Sequence, residues 1–162
     1  PDIIASGISP LDSEKASFKA GRILINEVKS RIAAGSDFSF ETTMSGKTWL
    51  PILRDAKNQD YQITIYFLFV TSIEKSIERI DTRVKLGGHH IPKDAVLRRY
   101  PRCFANFWHH YRTLADKWYI FDNSNDDPDL VMSSNDFDAL NDTAKEKFVK
   151  QFLEGRARGL KG

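Results

Sequence analysis

Five arginines in one stretch of this chain have the chemistry to grip an anion: Arg79, Arg83, Arg98, Arg99 and Arg102. Guanidinium groups offer paired N–H donors that match phosphate oxygens, and they stay charged at any physiological pH. Arg79 and Arg83 stand one helical turn apart, and Gly87-Gly88 separates them from the other three. Two arginine-bearing helices joined by a flexible loop could close over phosphates and exclude water, as phosphoryl transfer requires. The competing reading is a set of salt bridges to Glu78, Asp81 or Asp94. Charge distribution supports an anionic partner. From Lys75 to Arg112 there are nine Lys or Arg against three acids, whereas Asp116 to Asp142 holds eight aspartates against Lys117 alone. A basic block in a chain of net charge +2 is a local feature, suited to phosphate or nucleic acid.

Other constellations are weaker. Ser45-Gly46-Lys47-Thr48 looks like the tail of a Walker A loop, but Glu41 stands where the first Gly is needed and would repel phosphates. An ordinary helix start is expected there. Asp122-x-Ser124-x-Asp126 begins like a calcium loop, yet Asp127 and Ser133 replace the required Gly and Glu, which excludes an EF-hand. His89-His90 and His109-His110 are adjacent pairs without a neighbouring ligand cluster, so no metal is expected at them. No nucleophile-elbow pattern supports a Ser-His-Asp triad. Cys103 is the lone cysteine, which removes an internal disulfide or cysteine-rich zinc site and fits a reducing cytoplasm. The composition, 41% hydrophobic and 28% charged, suits a single globular domain over 1–162. No signal peptide opens the chain, and Ile63–Val70 falls far short of the roughly 20 residues of a membrane span.

The elements that must position these residues follow from periodicity. Ala16, Ala20, Ile23, Leu24, Val28 and Ile32 recur at helical spacing, with Gly35 as the stop. Phe38 to Thr42 alternates like a short strand. A helix is expected from Gly46 to about Asn58, with Pro51 in its first turn. Ile63 to Val70 reads as a central parallel strand buried on both faces. Thr71-x-x-Glu74 is a capping box for a helix burying Ile73, Ile77, Ile80 and Val84. A further helix starts at Pro92 and carries Val96, Tyr100, Phe104, Phe107, Tyr111 and Leu114 inward, with Pro101 a source of kinking. Trp118–Phe121 is a second strand, Leu130–Met132 a short edge strand, and Thr143–Leu153 a closing helix. The alternation predicts an α/β fold, a parallel sheet flanked by helices. In such a sheet ligands sit at the strand carboxyl ends, which places Glu41-Thr42-Thr43, Thr71-Ser72 and Asp122-Asn123-Ser124 around one crevice.

Several ordered segments resemble a known family. Gly87-Gly88-His89-x-Ile91-Pro92 with Arg98-Arg99-Tyr100 is similar to a signature of short zeta-toxin-like P-loop kinases. So are Phe40-Glu41-Thr42-Thr43 with Ser45-Gly46, and Tyr119-Ile120-Phe121-Asp122-Asn123-Ser124. Pro1-Asp2-x-Ile4-Ala5 resembles the family's segment after its phosphate-loop helix. The resemblance implies a P-loop kinase-like fold and transfer of a phosphoryl group from ATP, with Mg²⁺, to a hydroxyl of a small molecule. UDP-N-acetylglucosamine is the acceptor of many members, and some members are toxins held by an antitoxin protein. It implies Asp2 as general base, Arg83, Arg98 and Arg99 as stabilisers of the transferring group, Glu41, Thr42 and Thr43 as acceptor site, and Asn123 at the adenine edge. The family's N-terminal strand and phosphate loop should precede Pro1. The natural protein is therefore expected to begin some 30–50 residues earlier, about the span of a strand, loop and helix. Without them the 162 residues should bind ATP weakly. Two rivals stand beside this reading: a nucleic-acid-binding module using the basic 75–112 segment, and an inactive fold kept for partner binding. The aromatic residues of that segment fall on the inferred core stripe, which argues against base stacking.

Overall fold

The computed structural model describes residues 13–88 and 90–155. Asp2, with its segment, and His89 lie outside the described residues. The chain divides into two compact units, Pro1–Thr42 and Thr43–Gly162.

In the first unit, helix α1 (Ser13–Ala33) buries Ala20, Val28 and Ile32 along one stripe, while Ile23 is half-exposed. Glu27 and Arg31 pair across one turn at 2.7 Å. Gly35, at φ +64°, stops the helix as expected. Phe38 and Phe40 stack at 6.3 Å, but Phe38–Thr42 belongs to no strand. Alternation alone does not make a strand.

The second unit begins with a turn and then α2 (Trp49–Lys57), whose Pro51 sits in the first turn, where its missing N–H costs nothing. Strand β1 (Thr64–Phe69) follows, then α3 (Ile73–Lys85) and α4 (Lys93–Asn106). Helix α4 runs through Pro101 without ending and passes into a wider π-helical turn, Phe107–Tyr111, and a 3₁₀ turn, Arg112–Leu114. Strands β2 (Lys117–Asp122) and β3 (Asp129–Ser133) come next, then the short α5 (Ser134–Asp138) and α6 (Asp142–Leu153). The sheet order is β1-β2-β3. β1 and β2 are parallel in the register Phe67↔Ile120, whereas β3 runs antiparallel at the edge. The sheet is therefore mixed, not wholly parallel, because only a short loop joins β2 to β3. A parallel return needs a crossover of a dozen or more residues.

The β1 side chains alternate. Ile65, Phe67 and Phe69 are buried, but Tyr66 is 61% and Leu68 51% exposed. The expectation of burial on both faces is corrected. The described core covers one face only, and Tyr66 is partly shielded by stacking on Tyr119 at 5.3 Å. On the covered face Phe67 meets Phe104, Phe107 and Phe152 at centroid distances of 5.4, 4.6 and 5.5 Å. Trp108 adds Trp118, Phe137 and Phe148 to this ring cluster. Helix α3 lies at its margin. Ile73, Ile77, Ile80 and Val84 are half-buried, no α3 residue is fully buried, and Leu86 just beyond is 84% exposed.

Asp116 ties the start of the sheet together. Its carboxylate accepts from the Ile63 amide at 2.7 Å and from Lys57 Nζ at 2.6 Å, and its own amide donates to the Ile63 carbonyl. Lys57, then the Ile63 amide, hold this carboxyl below its usual range.

Neighbouring residues on opposite faces of β1 should respond very differently to truncation. Phe67→Ala should cost about 3–5 kcal/mol by chemical denaturation, whereas Tyr66→Ala should cost less than about 1 kcal/mol. Equal losses would show that the exposed face is packed in solution.

Candidate functional site

The parallel pair β1–β2 ends in a compact polar cluster. The Asn123 amide extends the ladder by one bond, donating to the Phe69 carbonyl at 2.7 Å. Beyond it the chain turns, and the Ser124 amide donates to Asp122 Oδ1 at 2.9 Å. Ser124 Oγ then accepts from the Thr71 amide at 2.9 Å and lies 3.1 Å from Thr71 Oγ1. Two of the three clusters expected at one crevice, Thr71-Ser72 and Asp122-Asn123-Ser124, thus meet directly. In the third, Glu41 and Thr42 fall in the first unit, and Thr43 pairs with Ser45 at 2.9 Å.

The helix cap is displaced by one residue from expectation. Ser72, not Thr71, is the N-cap, and its hydroxyl accepts from the Lys75 amide at 3.1 Å. Thr71 is left to bridge the two strand ends.

Periodicity placed Tyr100 in the core, but its hydroxyl reaches the cluster. Tyr100 Oη donates to the Val70 carbonyl at 2.6 Å. Burial, then the charges of Cys103, Glu74 and Asp122, push its pKa up to about 12, so it remains a neutral donor. The buried Gly155 closes over it; a Cβ there would lie 2.9 Å from the phenol oxygen. The sequence signal that could have revealed this role is a hydroxyl-bearing ring on an otherwise apolar stripe, which needs a partner when covered. Cys103 donates to the Arg99 carbonyl, and burial raises its thiol pKa, which disfavours the thiolate.

The basic residues divide between two helices. Lys75, Glu78, Arg79, Thr82, Arg83 and Leu86 line a groove of about 420 Å³ along α3. Arg79 also clasps the loop after β2, donating to the Asn125 carbonyl at 3.2 Å. Arg98 and Arg99 are exposed on α4 and do not line this groove. Arg112 is structural, its guanidinium lying 4.3 Å from the Trp108 ring centroid. Among the described residues no cluster of three or more His, Cys, Asp or Glu could hold a metal ion. Ser45–Thr48 forms the turn before α2 with no strand ahead of it among the described residues, in keeping with an ordinary helix start.

The glycine pair between the arginine helices is not a free hinge. Gly87, at φ +85°, donates to the Val84 carbonyl, and Gly88 donates to the Arg83 carbonyl at 2.9 Å. This double bond pattern is a Schellman cap, which fixes the end of α3. A Cβ on Gly88 would lie 2.5 Å from Arg83 Cγ and 2.8 Å from the Arg83 carbonyl oxygen. The expected flexible loop is thus corrected over its first two residues, because the open carbonyls of the last helical turn need donors.

No family model matches the chain, and no solved structure matches it. An uncharacterized protein of Haemophilus influenzae is 32% identical over 99 residues, covering 61% of this chain and 71% of that protein. This chain belongs to that protein's family. The relationship brings no activity with it, so the chemistry of the site must be argued from its residues. No described helix is long and apolar enough to cross a membrane.

Two measurements test the site. Gly88→Ala should destabilise the fold by more than about 1 kcal/mol, beyond what compatible Gly→Ala changes do, and should disorder the amides of 83–88 in NMR spectra; a neutral effect would restore the hinge. Tyr100 sets an alkaline limit. Its raised pKa means the unfolded chain loses the phenol proton first, so its contribution is complete below about pH 10. It should fade as pH rises toward about 12. Tyr100→Phe should flatten the fall in the urea midpoint across that window; an unchanged slope would sink the assignment.

Proposed function

We propose that this protein transfers a phosphoryl group from ATP to a hydroxyl of a small molecule, in the manner of the zeta-toxin-like P-loop kinases its sequence resembles. The observation that carries the reading is the bridged pair of strand ends, Thr71 with Ser124, next to the cationic groove of α3. Crevices at strand carboxyl ends are where open α/β sheets bind ligands, and a P-loop kinase-like sheet is part of this proposal.

The donor set in the groove suits an anion. Lys75, Arg79 and Arg83 are three cations on successive turns of one helix, against Glu78 alone. In this reading Arg83 on α3 stabilises charge on the phosphoryl group that ATP, as its Mg²⁺ complex, donates. No described residue is assigned to the metal. Arg98 and Arg99 stabilise charge on the transferring group from α4. Charge stabilisation and positioning, with little covalent work by the protein, are what this chemistry demands. Asp2 takes the proton from the acceptor hydroxyl, Glu41, Thr42 and Thr43 position the acceptor, and Asn123 contacts the adenine edge. A sugar nucleotide such as UDP-N-acetylglucosamine is the proposed acceptor, the cytoplasm the proposed compartment, and an antitoxin a proposed partner. The nucleic-acid reading is weakened because Arg112 of the basic segment is engaged within the fold.

Mass spectrometry of UDP-N-acetylglucosamine incubated with ATP, Mg²⁺ and the full-length natural protein tests the proposal. A product heavier by one phosphoryl group is expected, with turnover falling about a thousandfold in Arg83→Ala. No product from the wild type with this or other hydroxyl acceptors would defeat the reading. Turnover within threefold of wild type in Arg83→Ala would remove that residue's role.

A further inference from the structure

The loop that joins β2 to β3, residues 123–128, is held over its first half and exposed over its second. Asp122 and Asp129 face each other as ladder partners at its base. The Asn123 amide lies on the Phe69 carbonyl, and Ser124 is bonded to both Asp122 and Thr71. The next tie comes from another element: Arg79 Nη2 donates to the Asn125 carbonyl at 3.2 Å. Every residue from Asn125 to Leu130 is exposed. Among the described residues no hydrogen bond or ion pair reaches Asp126, Asp127 or Pro128. Arg79 is therefore the last side chain to hold this loop before its tip.

The same guanidinium belongs to the α3 groove. Arg79 lines it one helical turn from Lys75 and one turn from Arg83. Among the described residues its bond to Asn125 is the guanidinium's one hydrogen bond, and it makes no ion pair. A phosphate offers a guanidinium two parallel bonds with charge on both partners, where a carbonyl offers one with charge on the donor alone. The Asn125 carbonyl is exposed, so water can replace Arg79 there and no buried group is left unpaired. An anion in the groove therefore wins the guanidinium. Asp126 and Asp127 follow Asn125 directly, which places their backbones within roughly 10 Å of Arg79. That is about the screening length at 0.1 M salt, so an arriving phosphate and these carboxylates repel each other. The ligand removes the tie and pushes on the tip together.

We infer that Arg79 is a latch that couples the α3 groove to the β2–β3 loop. With its guanidinium on Asn125 the loop is held against α3. With the guanidinium on a phosphate-bearing anion the tip is released. The first half of the loop does not depend on Arg79, because the bonds of Asn123 and Ser124 run to Phe69, Asp122 and Thr71. Release is thus confined to residues 125–128, and the strand-end cluster stays in place beside the moving tip. Such coupling is reciprocal, so whatever favours the held tip weakens anion binding by the same factor. The inference rests on the reading of the groove as an anion site, and not on phosphoryl transfer.

Nuclear magnetic relaxation of the isotope-labelled protein, titrated with sodium pyrophosphate, tests the latch. The amides of 75–86 report binding and those of 125–127 report the tip, since Pro128 has none. Pyrophosphate should shift the α3 amides. Over the same concentrations it should lower the order parameters at 125–127 from the rigid value of about 0.85 to below about 0.6. Arg79→Ala should show the low values before any pyrophosphate is added, with no further fall on titration. Lys75→Ala should bind about tenfold more weakly and yet begin with wild-type order at the tip. Unchanged urea midpoints would verify that both variants fold. If the α3 amides shift while 125–127 keep their order, the latch is wrong and the anion site stands. If the α3 amides do not shift, the anion site falls and the latch falls with it. Wild-type order at the tip of Arg79→Ala, or an equal fall produced by sodium chloride at matched ionic strength, would also refute the latch.

Discussion

The packing of Phe67 among Phe104, Phe107 and Phe152 is the interaction on which the second unit depends. It joins the first strand, the long arginine helix with its π-helical extension, and the closing helix in one place. Rings at these separations add edge-to-face attraction to their burial. Tyr111 and Trp108, one helical turn and less beyond, use the same packing to carry the turn before α2 and the second strand. The strand-end cluster, through Tyr100 against Phe104, and the turn before α2, through Tyr111, are therefore mounted on a single aromatic body.

From that body two kinds of polar residue project, and the fold treats them differently. Those at the strand ends are short: Ser124, Ser72 and Asp122 accept from the backbone amides of Thr71, Lys75 and Ser124. The long basic residues stand farther out, with their backbones held. Arg83 has its carbonyl capped by Gly88, and Lys47 stands in a turn clamped by Tyr111. Holding the backbone still reduces the ordering cost of binding.

Much of this was legible in residue order. The β-branched and aromatic run of Ile63–Val70 and the Trp118–Phe121 run identified a parallel pair, and Gly35, Pro51 and Gly87 marked helix boundaries correctly. What escaped was tertiary. An apolar run looks the same whether one face or two are covered, so the exposure of Tyr66 and Leu68 could not be read from composition. The Gly-Gly pair suggests freedom until its amides are found on the carbonyls of α3. Tyr100 is one hydroxyl among hydrocarbon neighbours, and nothing local reveals which carbonyl it meets. Of the candidate site residues, Asn123 was placed correctly at a strand end. Arg83 was separated from Arg98 and Arg99, because helices joined through a fixed cap need not turn their cations into one groove.

The position of the tryptophans has a practical consequence for watching this protein unfold. Trp49, Trp108 and Trp118 account for all three indoles of the chain, all are buried, and all fall within Thr43–Gly162. Intrinsic tryptophan emission consequently arises from residues of the second unit. A clean sigmoidal fluorescence curve would say nothing about whether the two units melt together. Far-ultraviolet circular dichroism, to which α1 contributes, supplies the complementary signal, and coincidence of the two transitions is the condition for quoting one free energy for the whole chain.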